Sequence, residues 1–127
     1  MIIAPDGSSI RLIAGTPEQA TRASLCEATL AAGQTSRPVR HRTVEEIWFF
    51  TAGEGAVWRC PPDADPMSVE LVAVKPGDSL VIPTGWAFQF RASPAGPLSF
   101  LCYTTPPWPG ADEADPAPFG TLGPPTV

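Results

Sequence analysis

At 127 residues, with a formal charge of −5, the chain has the length of one domain and lacks the basic face that binding to nucleic acid requires. No apolar run approaches the ~18 residues of a membrane span. The segment Met1-Ile2-Ile3-Ala4-Pro5-Asp6-Gly7 does not have the basic-then-apolar order of a signal peptide, so a cytoplasmic protein with neither nucleic acid nor membrane as partner is expected.

The first segment reads as strand, turn, strand. Ile2-Ile3-Ala4 and Ile10-Arg11-Leu12-Ile13 flank Pro5-Asp6-Gly7, in which Pro presets φ and Gly accepts a positive φ. Thr16-Pro17-Glu18-Gln19 has the cap, the first-turn proline and the third-position Gln of a short helix start. From Ala23 to Ala31 the chain alternates loosely, as a strand does, and Ala32-Gly33-Gln34 turns it.

A short strand is expected over Val39 to Arg42 and a stronger one over Glu46 to Thr51. Gly53-Glu54-Gly55 then folds the chain back into Ala56-Val57-Trp58-Arg59-Cys60 as a hairpin. The proline-rich 61–66 is a loop, and Val69 to Val74 is a strand ended by Lys75-Pro76-Gly77-Asp78, where Asp78 is a turn-former. Ser79 to Ile82 and Ala87 to Arg91 follow, the latter alternating apolar Phe88 and Phe90 with polar Gln89 and Arg91 as a half-buried strand would. Leu98 to Tyr103 is the last strand. Residues 104–127 lose all alternation and form a Pro-rich tail, expected to lie on the domain through Trp108 and Phe119 and to fray at its end.

About eight short strands, spaced by turns drawn from 17 prolines and 11 glycines, predict a single all-β domain of sandwich or barrel type over 1–127. Cys26, Cys60 and Cys102 lack paired metal-type spacing and are expected as small buried apolar residues. Trp58 and Trp108 are expected to serve packing.

The chemistry concentrates between Pro38 and Gly55. This stretch holds the one histidine, His41, with Glu46 five residues later, and the aromatic run Trp48-Phe49-Phe50. Arg40 and Arg42 flank the histidine, with Arg37 and Arg22 upstream. Such guanidiniums either clamp a substrate carboxylate or form a solvated strand edge.

The chain resembles the cupins. Gly77-Asp78-Ser79-Leu80-Val81-Ile82-Pro83-Thr84-Gly85 is similar to the G-x5-P-x-G of the second cupin motif, and Glu46 and Gly53 have the E-x6-G spacing that ends the first. In that register His41 falls on the second histidine of H-x-H-x4-E. The resemblance implies a double-stranded β-helix, or jelly-roll barrel, and a homodimer. It also implies that Val39, His41, Glu46, Trp48, Phe50, Phe88 and Phe90 point into the barrel as an aromatic-walled pocket for a small-molecule ligand.

Cupins commonly hold a metal through three histidines and one glutamate. Here Val39 and Phe88 occupy two of the histidine positions, and with one histidine in the chain that ligand set is excluded by counting. The reading is therefore a cupin without a strongly held metal and with no cofactor. His41 serves as acid and base and Glu46 as its orienting partner, in chemistry of isomerase, lyase or cyclase type, or else the barrel binds a ligand without turnover. The remaining alternatives are a metal-dependent oxygenase or isomerase using His41 and Glu46 on a divalent ion, and a structural barrel in which the pair is idle.

Overall fold

A computed structural model describes residues 2–15 and 19–127; the expected helix start at 16–19 falls largely outside the described residues. The strands, in chain order, are β1 (Ile2–Ile3), β2 (Ser9–Ala14), β3 (Ser24–Leu30), β4 (Val39–His41), β5 (Glu45–Ala52) and β6 (Gly55–Cys60). They continue as β7 (Val72–Val74), β8 (Ser79–Ile82), β9 (Ala87–Ala92), β10 (Leu98–Thr105) and β11 (Ala114–Pro116). Among the described residues every strand pairing is antiparallel, in a six-stranded sheet of order β1-β2-β3-β10-β5-β8 and a five-stranded sheet of order β11-β4-β9-β6-β7. The two sheets face each other as a jelly-roll barrel, as the resemblance implies. No described helix is long and apolar enough to cross a membrane.

Alternation decides what fills the barrel. Along β5, Glu46, Trp48 and Phe50 are buried while Glu45, Ile47, Phe49 and Thr51 face outward, because successive strand residues point to opposite faces. Phe88 and Phe90 enter from β9 and Phe100 from β10, and their rings meet Trp48. Phe100 stacks on Trp48 at 4.2 Å and meets Phe90 edge-on at 5.2 Å. The β5–β6 turn requires glycine at Gly53, where φ is +77° and a Cβ would strike the Pro97 carbonyl.

Several regions differ from the sequence expectation: the strand expected over Val69 to Val74 is confined to Val72–Val74, and Phe119, expected to hold the tail, is exposed. β9 was expected to be half-buried, yet Gln89 is wholly buried, because residues 117–127 cover the outer face of the five-stranded sheet. Its amide Nε2 donates to the carbonyls of Ser36 and Gly123, at 2.9 Å each. The tail itself is ordered into the fold. β11 pairs with β4, Leu122 joins Trp58, Cys60 and Ala87 in a second small core, and Gly120 lies so close to the Trp58 indole that a side chain there would collide. The tail's end is tied down by Thr35 N–H donating to Thr126 Oγ1 and by Val127 packing against Gly7. Asp78 does form a turn, accepting from Lys75 N–H at 2.9 Å.

Candidate functional site

His41 ends β4 and Glu46 opens the inward face of β5, so a four-residue connection brings them together across the barrel mouth. Glu113 holds that connection in shape: its carboxylate accepts from the N–H groups of Thr43 and Val44 and from the Thr43 hydroxyl. Burial pushes the Glu113 pKa up, but these donors outweigh it and leave a lowered value. The buried carboxylate stands in for the strand partners that the loop N–H groups lack.

His41 Nε2 lies 3.4 Å from Glu46 Oε2, and both side chains are more than nine-tenths buried. Glu46 accepts further bonds from Trp48 Nε1 at 3.0 Å and from the Thr104 hydroxyl at 3.0 Å. Burial pushes the Glu46 pKa up, yet His41, Trp48 and the other donors reverse it and the net shift is downward. For His41, burial pulls the pKa down, and the hydrogen bond and charge of Glu46 overcome it, so the net shift is upward. The ring stacks on Phe88 at 5.3 Å. Its second nitrogen, Nδ1, is buried with no partner among the described residues.

This pair opens onto a cavity of about 520 Å³, within the range that takes a drug-sized ligand. Of the predicted site residues, the cavity brings together Val39, His41, Glu46, Trp48 and Phe88. Phe50 and Phe90 also point inward but belong to the packed core behind Trp48, where each is fully buried. The arginines are placed elsewhere. Arg40 Nε donates to the Gly85 carbonyl, and Arg42 forms a two-bond pair with Asp115 on the surface. Neither guanidinium lines the cavity, so the expected carboxylate clamp is corrected. The short β4 puts both side chains on its flanks, where β11 and the β8–β9 turn bind them.

The cavity also recruits residues that the sequence did not single out. Asp6, on the β1–β2 turn, lines it together with Ser8, Ile10, Leu12, Trp108 and Thr104. Burial pushes the Asp6 carboxyl above its ordinary 3.8, against the Ser8 hydroxyl and N–H that draw it down. Cys26 and Cys102, direct partners across β3 and β10, also face the cavity, and the neighbouring Cys26 thiol, together with burial, drives the Cys102 thiol well above its usual value. Trp108, expected only to pack, forms part of the wall. Asp6 had no sequence signal beyond its turn, because the strand pairing that folds β1–β2 over the mouth is a long-range event.

The metal site typical of cupins does not fit these residues. Val39 and Phe88, at two histidine positions of the resemblance, are register partners and pack as apolar wall, and Glu46 is already committed to three donors. Among the described residues no group of three or more His, Cys, Asp or Glu side chains converges as a metal cage.

No family model matches the chain. It is 30% identical over 107 residues to the uncharacterized protein MJ1618 of Methanocaldococcus jannaschii, across 84% of this chain and 79% of that protein. Among solved structures it is similar to the polyketide cyclase RemF of Streptomyces resistomycificus, with a TM-score of 0.72 at 20% identity over 94% of this chain and 79% of the cyclase. It is also similar to a conserved protein with a double-stranded β-helix domain from Klebsiella pneumoniae, with a TM-score of 0.66 at 14% identity over 87% and 84% of the two chains. At such identities the two solved structures speak for the fold alone.

Proposed function

This chain belongs to the family of the Methanocaldococcus jannaschii protein and has a cupin-type double-stranded β-helix, and on that premise we propose that it moves a proton on a small molecule held in the barrel. His41 is the proton carrier and Glu46 orients it, in isomerase, lyase or cyclase chemistry. The observation that carries this reading is a buried imidazole–carboxylate pair, His41 Nε2 to Glu46 at 3.4 Å, in the wall of a cavity of about 520 Å³. A carboxylate on one nitrogen selects the tautomer and raises the basicity of the other. Glu46 itself, accepting from His41, Trp48 and Thr104, is held ionised and is a poor proton acceptor. That a protein of similar fold is a polyketide cyclase is in keeping with carbonyl chemistry in such a barrel.

A bicyclic aromatic ketone with acidic α-protons, 2-tetralone, is a suitable probe. Loss of its α-proton NMR signal in deuterated buffer should be faster with the protein than in buffer alone and should return to the buffer rate in His41→Ala. Saturable binding without exchange would favour the ligand-binding alternative, and no binding the structural one. A metal-dependent reaction would require stoichiometric metal in protein grown in metal-replete medium, which elemental analysis measures.

The homodimer stands as a second proposal. Ile47, Phe49, Val81 and Tyr103 are exposed together on the outer face of the six-stranded sheet, whereas the tail covers the corresponding face of the other sheet. Sedimentation showing only monomer at micromolar concentration would remove it.

A further inference from the structure

We infer that Asp6 is a second catalytic residue of this cavity, an acid working with the His41–Glu46 pair, and that the substrate class is an uncharged carbonyl compound, an enolisable ketone or β-hydroxy ketone. The inference rests on the proton-transfer reading above and deepens it.

The placement comes first. Asp6 and His41 arrive from opposite sheets, on the β1–β2 turn and at the end of β4, and line the same cavity. The turn that carries Asp6 is built to hold it. Ala4 N–H donates to the Ser8 carbonyl, Gly7 N–H to the Ala4 carbonyl, and Arg37 N–H to the Asp6 carbonyl at 2.7 Å. Val127 buttresses Gly7 from behind. Within the side chain the two oxygens differ. Oδ1 accepts from Ser8 N–H at 2.9 Å and from the Ser8 hydroxyl at 2.6 Å, while Oδ2 has no bond among the described residues. A carboxyl anchored through one oxygen leaves the other to carry and deliver a proton. Burial, with the charge of Glu46 nearby, favours that protonated form.

The surroundings define the substrate. The ionisable groups reaching the inner cavity are two carboxyls, one imidazole and the thiols of Cys26 and Cys102, with Arg11 at the rim paired to Glu27 at 3.3 Å. Arg37, Arg40 and Arg42 are bonded to Val127, Gly85 and Asp115. An anionic substrate would meet carboxylates without a free cation, so the reacting end is neutral. Apolar walls from Ile10, Leu12, Phe88, Phe100 and Trp108 suit a hydrocarbon or aromatic body.

Two proton carriers permit a balanced enolisation. His41 takes the α-proton, the C–H electron pair becomes the C=C bond, and Asp6 Oδ2 gives its proton to the carbonyl oxygen. With a β-hydroxy ketone, the Asp6 proton leaves instead with the β-hydroxyl as water, while His41 holds the α-proton. In either case His41 ends protonated and Asp6 ionised, and solvent returns both to their starting states. No oxidant or metal takes part.

Asp6→Asn keeps an oxygen for Ser8 but cannot deliver the proton. Exchange of 2-tetralone α-protons should fall by about 10²- to 10⁴-fold, and one limb of the pH–rate profile should disappear. Ser8→Ala, which removes the hydroxyl donor that lowers the Asp6 pKa but keeps the N–H, should move that limb to higher pH, an effect a purely structural role would not produce. The carboxyl ¹³C signal of Asp6, titrated without substrate, should have its midpoint above the ordinary aspartate range.

Wild-type protein that exchanges no proton overturns the proton-transfer reading and this inference together. Exchange that depends on His41 but is unchanged in rate and pH profile by Asp6→Asn overturns the Asp6 role alone, as does an ordinary Asp6 midpoint.

Discussion

The two ends of the barrel are built from the same strands and do opposite things. At one end β5, β9 and β10 contribute Phe50, Phe90 and Leu98, fully buried, with both rings packed against Phe100. At the other end the same three strands, with β4, contribute Glu46, Phe88, Thr104 and His41 around a cavity. Trp48 is the divider, with its ring stacked on Phe100 and its Nε1–H donated to Glu46. One end illustrates burial without polar atoms. The other shows how a charge is buried when it is given partners, Glu46 taking three donors.

The largest expected effect strikes the packed end. Phe50→Ala should cost about 3–5 kcal/mol by urea denaturation, because the rings around it cannot collapse into the space, and should leave the His41 titration in place. A loss under about 1 kcal/mol would mean that this end is not close-packed.

At the open end the expected effects are electrostatic. His41 has a folded pKa raised from 6.5, so its contribution to stability is complete below 6.5 and is lost as pH rises through the folded value. Glu46 has a folded pKa lowered from 4.5, so its contribution is complete above 4.5 and is lost as pH falls through the folded value. The pair is therefore most stabilising between those two values, and the Tm gap between wild type and His41→Gln should be widest near pH 5.5 and narrow toward pH 9. As His41 is the one histidine, its ring-proton NMR signal reads the same linkage directly. Glu46→Gln should bring its midpoint down, and an unchanged midpoint would break the pairing.

Glu113→Gln should cost about 1–3 kcal/mol by loosening the donors of the β4–β5 connection and should slow exchange while His41 and Glu46 remain. The smallest effect belongs to the surface. Asp115→Asn, which breaks the exposed pair with Arg42, should leave Tm and exchange unchanged.

Much of the barrel was legible because strand alternation and turn chemistry are local. Glu46, Trp48 and Phe50 on one face, and the Gly53 hairpin, follow from period two and a positive φ alone. Gln89 was not legible in this way, since its burial depends on Ser36 and Gly123 arriving from distant parts of the chain. Of the candidate site, the His41–Glu46 pair and three wall residues, Val39, Trp48 and Phe88, could be named from the cupin resemblance. Arg40 and Arg42 could not be placed, because whether a guanidinium points to a cavity or to a neighbouring carbonyl depends on which strand lies beside it. β11, in a stretch without alternation, was invisible for the same reason: three residues become a strand by pairing with β4, not by their own propensity.

By itself the sequence determined the class of fold, the absence of a three-histidine ligand set, and the presence of one imidazole with a carboxylate at strand spacing. Those are matters of composition and of contacts a few residues apart. Only the tertiary structure decided that the barrel is solid at one end and hollow at the other. It alone brought Asp6 and Trp108 to the cavity and tied the arginines outside it. The reason is physical: alternation tells which face of a strand is buried, but the space left inside depends on how side chains from eleven strands meet, and no single strand carries that information.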